Sequence, residues 1–103
     1  MTRVMVRYKV KPGQVEKNEQ LVRAVYEELH SIQPTNMRYA TFQLEDGVSF
    51  IHLHSNESND GSNALTELPA FKQFQQGIPD RCESGPVVTK LREIGSFRFF
   101  ESD

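Results

Sequence analysis

The sequence is poor in the features that mark several common classes of protein. Its single cysteine, Cys82, excludes an intramolecular disulfide and any metal site built from several cysteines. The 12 Lys and Arg residues are scattered among 14 Asp and Glu, so the net charge is -2 and no basic stripe for nucleic acid is present. The opening MTRVMVRYKVKPG interleaves charged with apolar residues, unlike a signal peptide or a membrane span. We therefore expect a cytoplasmic protein whose partners include neither nucleic acid nor a membrane.

Length and composition predict one small domain that spans residues 1–103. A chain of this length buries about two-thirds of the surface that it exposes when unfolded, so an interface with a second subunit would help to stabilise it. Cys82 follows a predicted helix and precedes a predicted turn. A half-buried thiol is favoured there over a reactive thiol or an intersubunit disulfide, because no base adjoins it in the sequence.

Two periodic patterns predict the first strand and the first helix. The segment TRVMVRYKV alternates strictly, which predicts a strand with one apolar side. After KPG, apolar residues recur at helical spacing from about Gln14, and the helix should stop before Pro34. The apolar side of the strand comprises Val4, Val6, Tyr8 and Val10.

The segment MRYATFQLEDGVSFIHLHS predicts a hairpin, because Asp46 and Gly47 form a favoured two-residue turn and both flanks alternate. This turn pairs Thr41 with His52, and the pairing determines which side chains share a face. One face is apolar and is expected to pack on the helices: Ala40, Phe42, Leu44, Ile51 and Leu53. The other is mixed: Tyr39, Thr41, Gln43, Phe50, His52 and His54.

The remaining sequence predicts a polar loop, a second helix and a last strand. Residues 55–63 form the loop, and whether it acts as a lid is left open. Apolar residues from Leu65 to Ile78 recur every three or four positions, with a break at Pro69. The segment SGP should be a turn, and residues 87–100 a strand that bends at Gly95. The order βαββαβ predicts an α+β, ferredoxin-like fold, with a four-stranded antiparallel sheet and two helices on one face.

Such a fold leaves one face of its sheet uncovered, and a second subunit is expected to cover it. If Val4, Val6 and Tyr8 pack on the helices together with Ile51 and Leu53, the uncovered face is mixed. It then carries Met5, Arg7, Tyr39, Thr41, Phe50, His52 and His54. We therefore expect a homodimer that joins sheet to sheet. Phe97, Phe99 and Phe100 should cross to the partner or close the barrel.

Three segments carry a resemblance to a known family: VKPG after the first strand, the short hairpin into SFIHLH, and ALTELPAFKQF at the second helix. In these and in the order of its elements, the chain resembles the dimeric α/β barrels of the antibiotic biosynthesis monooxygenase-like (ABM) superfamily. The resemblance implies a homodimer whose two sheets enclose a cavity. Relatives with enzymatic activity include cofactor-independent oxygenases of aromatic substrates and oxygenases that degrade haem.

Haem-degrading relatives use an asparagine on the first strand, a tryptophan and an axial histidine in the second helix. This chain has no tryptophan, and Thr66, Glu67 and Ala70 stand where those histidines often occur. Of the residue types in quinone-forming oxygenases, it keeps a tyrosine and an arginine as Tyr39 and Arg7. We therefore expect no cofactor.

The pair His52 and His54 allows three interpretations. As metal ligands they would need a third and a fourth partner, which the sequence does not supply at an obvious spacing, so no metal is expected. As a base, a neutral imidazole beside Arg7 and Tyr39 could deprotonate an enolic or aromatic substrate so that its carbanion reacts with dioxygen. Alternatively, these four side chains simply form the subunit interface.

The sequence thus predicts an ABM-like homodimer that binds a small, partly aromatic or enolic molecule, with cofactor-independent monooxygenase-like activity. The alternative is a non-catalytic dimerisation or ligand-sensing module. The predicted catalytic residues are His52, His54, Arg7 and Tyr39. The predicted ligand-binding residues are Met5, Thr41 and Phe50.

Overall fold

The computed structural model describes residues 1–99 and has the predicted order of strands and helices. The strands are β1 (Thr2–Val10), β2 (Met37–Gln43), β3 (Ser49–Asn56) and β4 (Cys82–Leu91). The helices are α1 (Val15–Ile32), α2 (Ala64–Glu67), α3 (Pro69–Gln76) and α4 (Ile78–Arg81), and a 3-10 turn (Pro12–Gln14) precedes α1. This architecture confirms the predicted α+β, ferredoxin-like fold. No helix among residues 1–99 is long and apolar enough to cross a membrane.

Helix α1 begins and ends where the sequence predicts. Pro12 opens the 3-10 turn, where its fixed φ suits the first helical position and its missing N–H costs no hydrogen bond. At the other end, Gln33 adopts the left-handed conformation with φ of 56° and donates its N–H to the carbonyl of Leu29. Pro34 follows directly and prevents continuation of the helix.

The four strands form one antiparallel sheet in the order β2-β3-β1-β4. The predicted hairpin register is confirmed, since Thr41 pairs with His52 and residues Tyr39 and His54 pair beside them. The Asp46 carboxylate closes the turn by accepting the backbone N–H of Ser49 at 2.8 Å. Gly47 has a φ of 77°, which favours glycine because it has no side chain to clash.

The predicted face of the hairpin is wrong: the helices cover the mixed face, and the apolar face points outward. Val6 pairs with His52, and residues that pair across neighbouring strands share a face. His52 is consequently only 4% exposed, whereas Phe42 is 48% exposed. We call the helix-covered side the inner face: Val4, Val6, Tyr8, Val10, Tyr39, Thr41, Phe50, His52 and His54. The outer face comprises Met5, Arg7, Ala40, Phe42, Ile51, Leu53 and Val87.

The core lies between the inner face and the helices. Pro69 divides the predicted second helix, and the side chain of Asn63 caps α2 by accepting the N–H of Thr66 at 3.3 Å. Aromatic rings dominate the centre, with Tyr8 stacked on Phe50 at 5.6 Å between ring centroids. The buried hydrophobic residues are Tyr8, Val10, Val22, Val25, Phe50, Leu65, Leu68, Phe71, Phe74 and Ile78.

The bounds predicted for the last strand are wrong. The segment Ser84 to Pro86 lies within β4 rather than in a turn, and β4 ends at Leu91, before Gly95. β4 is an edge strand, so a proline whose nitrogen faces the open side removes no hydrogen bond from the sheet. The pairing of β4 with β1 shifts register near this segment, as in a β-bulge. Cys82 is half-buried, as predicted.

Apolar side chains beyond β4 are exposed. Ile94, Phe97 and Phe99 are 82%, 83% and 59% exposed. Phe100, which is also predicted to cross to a partner or close the barrel, lies outside the described residues.

Candidate functional site

A cavity of about 270 Å³ lies between the inner face of the sheet and the helical layer. The sheet contributes Val4, Val6 and Val88 to its apolar lining, and the helices contribute Leu65 and Phe71, among others. The polar side chains on its sheet side are Tyr8, Tyr39, His52 and His54. The cavity is thus largely apolar, with four polar side chains on its sheet wall and Asn63, Thr66 and Gln75 on the opposite side.

His52 lies between two tyrosines at the centre of that wall. Its Nε2 is 2.7 Å from the hydroxyl of Tyr8, and its Nδ1 is 2.5 Å from the hydroxyl of Tyr39. The ring also packs on Phe74 at 5.4 Å between centroids. β1, β2 and β3 each contribute one side chain to this cluster, and the sheet register places them together.

The hydrogen bonds continue from Tyr8 into the helical layer. Asn18 of α1, which is fully buried, donates from Nδ2 to the Tyr8 hydroxyl at 3.0 Å. Arg81, at the end of α4, donates from Nε to Oδ1 of Asn18 at 3.3 Å. A second branch starts at His52, whose Nδ1 is 3.2 Å from Oγ1 of Thr41, and that oxygen is 2.8 Å from the hydroxyl of Tyr26.

Burial keeps these groups neutral. It lowers the pKa of His52 to about 4, because the imidazolium would lose its hydration in the core. It raises the pKa of Tyr26 to about 12, and it raises the pKa values of Tyr8 and Tyr39 further above their usual range. Near neutral pH the cluster therefore contains a neutral imidazole with one N–H and two protonated phenols.

His54 occupies a different environment on the same wall. Burial lowers its pKa as well, and its ring lies nearly perpendicular to that of Tyr39, with 5.9 Å between the ring centroids. Its Nε2 is shielded from solvent and has no hydrogen-bond partner among residues 1–99. His54 thus brings a buried polar atom without a protein partner to the cavity wall, which is unusual in a folded protein.

The remaining predicted site residues are divided between the two faces. Thr41 contacts His52, and Phe50 packs on Tyr8, so both support the cluster from the inner face. Arg7 and Met5 lie on the outer face, and the structure does not bring them to the histidines. The expectation that these two residues share a face with His52 is wrong, because the partners of Arg7 and Met5 on β3 are Ile51 and Leu53.

Sequence reasoning missed Tyr8, Asn18 and Arg81. The sequence does contain a pattern that indicates Asn18. It lies three residues after Val15 and four before Val22, so it is a polar residue on the apolar side of α1. Tyr8 was assigned only to the core. Arg81 has no local pattern that sets it apart. Among residues 1–99, no group of three or more His, Cys, Asp or Glu side chains could hold a metal ion.

Comparisons with known proteins agree on one family and one fold. The family model described as antibiotic biosynthesis monooxygenase matches residues 1–77. No curated protein matches the chain significantly. The fold is similar to a crystal structure of an antibiotic biosynthesis monooxygenase, with a TM-score of 0.74 and 14% identity over 92% of this chain and 100% of that one.

Two further solved structures show the same similarity. The Mycobacterium tuberculosis protein Rv0793 has a TM-score of 0.74 and 14% identity over 92% of this chain and 96% of its own. A conserved protein from Methanosarcina mazei has a TM-score of 0.72 and 16% identity over 89% of this chain and 91% of its own. At these identities the structural matches establish the fold alone.

Proposed function

The chain belongs to the antibiotic biosynthesis monooxygenase family, and on that premise we propose that its cavity binds a small, partly aromatic or enolic molecule and oxidises it with dioxygen. The observation that carries this proposal is the Tyr8, His52 and Tyr39 cluster on the sheet wall of a largely apolar cavity. An apolar pocket with a few convergent polar groups is the usual form of a small-molecule site. The volume of about 270 Å³ suits a small ring compound.

The proposed reaction needs no external reductant. A CH₂ group made acidic by a neighbouring carbonyl or phenol loses a proton, and the carbanion gives electrons to dioxygen and forms a C–O bond. After the peroxide takes up a proton, loss of water leaves a ketone: R₂CH₂ + O₂ gives R₂C=O + H₂O. One oxygen atom enters the product and the other leaves as water, so the substrate supplies all four electrons.

The cluster can serve the proton-transfer step of this reaction. A phenol hydroxyl can donate a hydrogen bond to the enolate oxygen, which stabilises charge where it develops. Within the cluster, the hydroxyl of Tyr8, which also lines the cavity, lies 2.7 Å from Nε2 of His52, so a proton from the substrate can reach the imidazole through this hydroxyl. The pKa of His52, about 4, describes the cavity without a ligand. A nearby enolate anion would raise that pKa and strengthen the base.

A ligand-sensing module without catalysis is the second candidate. Its support is that both ring nitrogens of His52 already have hydrogen-bond partners, which is typical of a structural histidine. Under this alternative the cavity binds the same class of molecule, and His52 shapes the wall without accepting a proton.

Oxygen uptake and ligand binding, measured on the same compounds, test the proposal. Hydroxynaphthalenes and anthrone-type ketones can be titrated by calorimetry and then followed in an oxygen electrode. We expect uptake with the wild type and a loss of at least about 100-fold for His52→Gln and Tyr39→Phe, the usual range for removing acid-base catalysis. Lys17→Gln, an exposed position beside Asn18, is the matched control and should retain full uptake. Binding without uptake would support the sensing module, and neither binding nor uptake would contradict both candidates.

The outer face supports the homodimer as part of this proposal. Phe42 and Val87, at 48% and 63% exposure, lie on the same surface as the half-buried Met5, Ile51 and Leu53. A contiguous apolar surface of this kind is unusual on a monomer and typical of an interface. The exposed side chains of Ile94, Phe97 and Phe99 beyond β4 add further apolar area for a partner to cover. Arg7 and Met5 belong to this interface rather than to the cavity.

A further inference from the structure

A series of hydrogen bonds runs from Arg81 through Asn18, Tyr8 and His52 to Tyr39. Arg81 and Asn18, which lie outside the cavity, determine which group donates and which accepts at each step. A guanidinium can only donate, so the bond from Nε of Arg81 to Asn18 requires an oxygen at the receiving end. This orients the Asn18 amide with Oδ1 toward Arg81 and Nδ2 toward Tyr8, where it donates to the hydroxyl oxygen at 3.0 Å. The Tyr8 oxygen is therefore an acceptor from one side.

This orientation leaves two possible arrangements at His52. In the first, Tyr8 donates to Nε2 and the ring carries its proton on Nδ1. In the second, Nε2–H donates to Tyr8, whose oxygen then accepts from two groups while its own proton has no acceptor among residues 1–99. Tyr8 is only 3% exposed, so a stranded proton there is costly. The first arrangement satisfies every bond around Tyr8.

We propose that Asn18 and Arg81 are positioning residues that hold His52 in the Nδ1–H tautomer, so that Tyr39 is the hydroxyl with a proton to offer a ligand. In this tautomer Nδ1–H donates to the Tyr39 oxygen at 2.5 Å, with Thr41 as a longer second acceptor at 3.2 Å. The proton of Tyr39 is then donated into the cavity that Tyr39 lines. A ligand atom at Tyr39 must therefore be an acceptor, such as a carbonyl or enolate oxygen. This last step rests on the proposed function, whereas the tautomer does not.

Space left by Gly77 keeps Arg81 in position. A Cβ atom built at Gly77 would lie 2.2 Å from Nη1 of Arg81, so the guanidinium would have to move away. The backbone of Gly77, with φ of -90°, accepts any residue, so the glycine is needed for room rather than for its conformation. Arg81 is held from the other side by a bond from Nη2 to the carbonyl of Phe74 at 2.9 Å.

NMR of the wild type is the first test. In ¹⁵N-labelled protein near neutral pH, long-range ¹H–¹⁵N spectra of the imidazole rings show which nitrogen carries the proton. The chain has three histidines, and His30→Gln and His54→Gln variants assign their signals. We expect His52 to be neutral and Nδ1–H by about tenfold or more, the ratio that one satisfied buried hydrogen bond supports. An Nε2–H tautomer in the wild type would overturn the proposal.

Asn18→Asp is the variant that should reverse the direction of the hydrogen bonds between Asn18 and Tyr39. An ionised carboxylate beside Arg81 accepts from Tyr8 instead of donating to it, so Tyr8 must receive its hydrogen bond from His52. The expected result is a switch of His52 to Nε2–H, together with weaker binding of carbonyl ligands by about tenfold, because Tyr39 then donates to Nδ1. Asn63→Asp adds the same charge at a residue that lines the cavity but does not contact Tyr8, keeps the α2 cap, and should leave the tautomer unchanged. An unchanged tautomer in Asn18→Asp would contradict the proposal.

Gly77→Ala provides an independent test if the buried carboxylate prevents folding. It displaces the end of a flexible side chain rather than backbone, so the fold should survive while Arg81 shifts. We expect the preference for Nδ1–H to weaken by several-fold, and full retention of the wild-type ratio would argue against a role for Arg81. Tautomers that behave as expected in a protein without oxygen uptake would refute only the enzymatic proposal.

Discussion

The two faces of the sheet are arranged in the opposite way to what their composition suggests, because the more polar face is buried and the more apolar face is exposed. The inner face holds two histidines and two tyrosines and is covered by helices, whereas the outer face holds Phe42, Ile51 and Leu53 and is open. The inner face can be buried because each polar group of the cluster has a partner, which offsets the cost of removing it from water. A buried polar cluster is typical of a binding or catalytic site, and an exposed apolar surface is typical of a protein interface.

Truncating one residue on each face should give the largest contrast. Phe50→Ala removes a 4%-exposed ring that stacks on Tyr8, and we expect it to lower the free energy of unfolding by about 3–5 kcal/mol. The neighbouring Ile51→Ala, on the outer face, should cost less because Ile51 is only half-buried in the monomer. Urea denaturation followed by circular dichroism measures both. A larger loss for Ile51→Ala in a dilute monomer would reverse the assignment of faces.

Acid should destabilise the inner face. The pKa of His52 is about 4 when folded against 6.5 for a free histidine, so the unfolded chain binds the extra proton between these values. The contribution of His52 should be constant above about pH 6.5, and stability should fall by about 3 kcal/mol as the pH approaches 4. The lowered pKa of His54 acts in the same direction. The lowered pKa values of Asp46 and Asp60 remove stability only below that window.

Denaturation curves at several pH values separate His52 from other groups. The slope of stability against pH should flatten in His52→Gln, whatever the absolute stability of that variant. His30→Gln, at an exposed position of α1, is the control and should keep the wild-type slope. Equal slopes in all three proteins would mean that His52 does not titrate as its burial requires.

Removing one hydroxyl from the cluster should have an intermediate effect. Tyr8→Phe keeps the stacked ring but leaves Nδ2 of Asn18 and Nε2 of His52 without their partner. A loss of about 1–3 kcal/mol is expected, the usual cost of stranding a buried polar group. Tyr26→Phe, which affects a single bond at the periphery, should cost less. Thermal and urea unfolding of the pair would show whether the cluster is as tightly coupled as its distances suggest.

A charge on the outer face should have the smallest effect on the folding of the monomer and a clear effect on assembly. Phe42→Asp changes a 48%-exposed side chain, so we expect the monomer to lose no more than about 0.5 kcal/mol. The proposed dimer should dissociate at least about tenfold more readily, because an uncompensated charge would be buried. Sedimentation velocity over a range of concentrations measures this. An unchanged sedimentation profile would place the interface elsewhere.

Deleting residues 94–103 tests the apolar segment after β4 in the same experiment. The deletion removes Ile94, Phe97 and Phe99 and should weaken the dimer, since these side chains have little to cover them in one chain. If the shortened protein sediments like the wild type, this segment does not contribute to assembly.

Local patterns predicted most of the fold but only part of the site. Alternation, helical spacing and the Asp46-Gly47 turn predicted β1, α1 and the hairpin register, because each depends on residues close together in the chain. The break at Pro69 was equally local. The site was predicted in part: Tyr39 and His52 are hairpin partners within reach of local register, whereas Tyr8, Asn18 and Arg81 come from distant elements.

By itself, the sequence determined the strands and helices and which residues share a side of each, since periods of 2 and 3.6 are properties of the backbone. Only the tertiary structure decided which face of the hairpin lies on the same side of the sheet as Val4, Val6 and Tyr8 of β1. The register between β1 and β3 joins Val6 to His52 across more than 40 residues, and no turn between them encodes it. A shift of one residue in that register would exchange the two faces. The helices therefore close over the histidines and leave Phe42 exposed and Ile51 half-buried on the outer face.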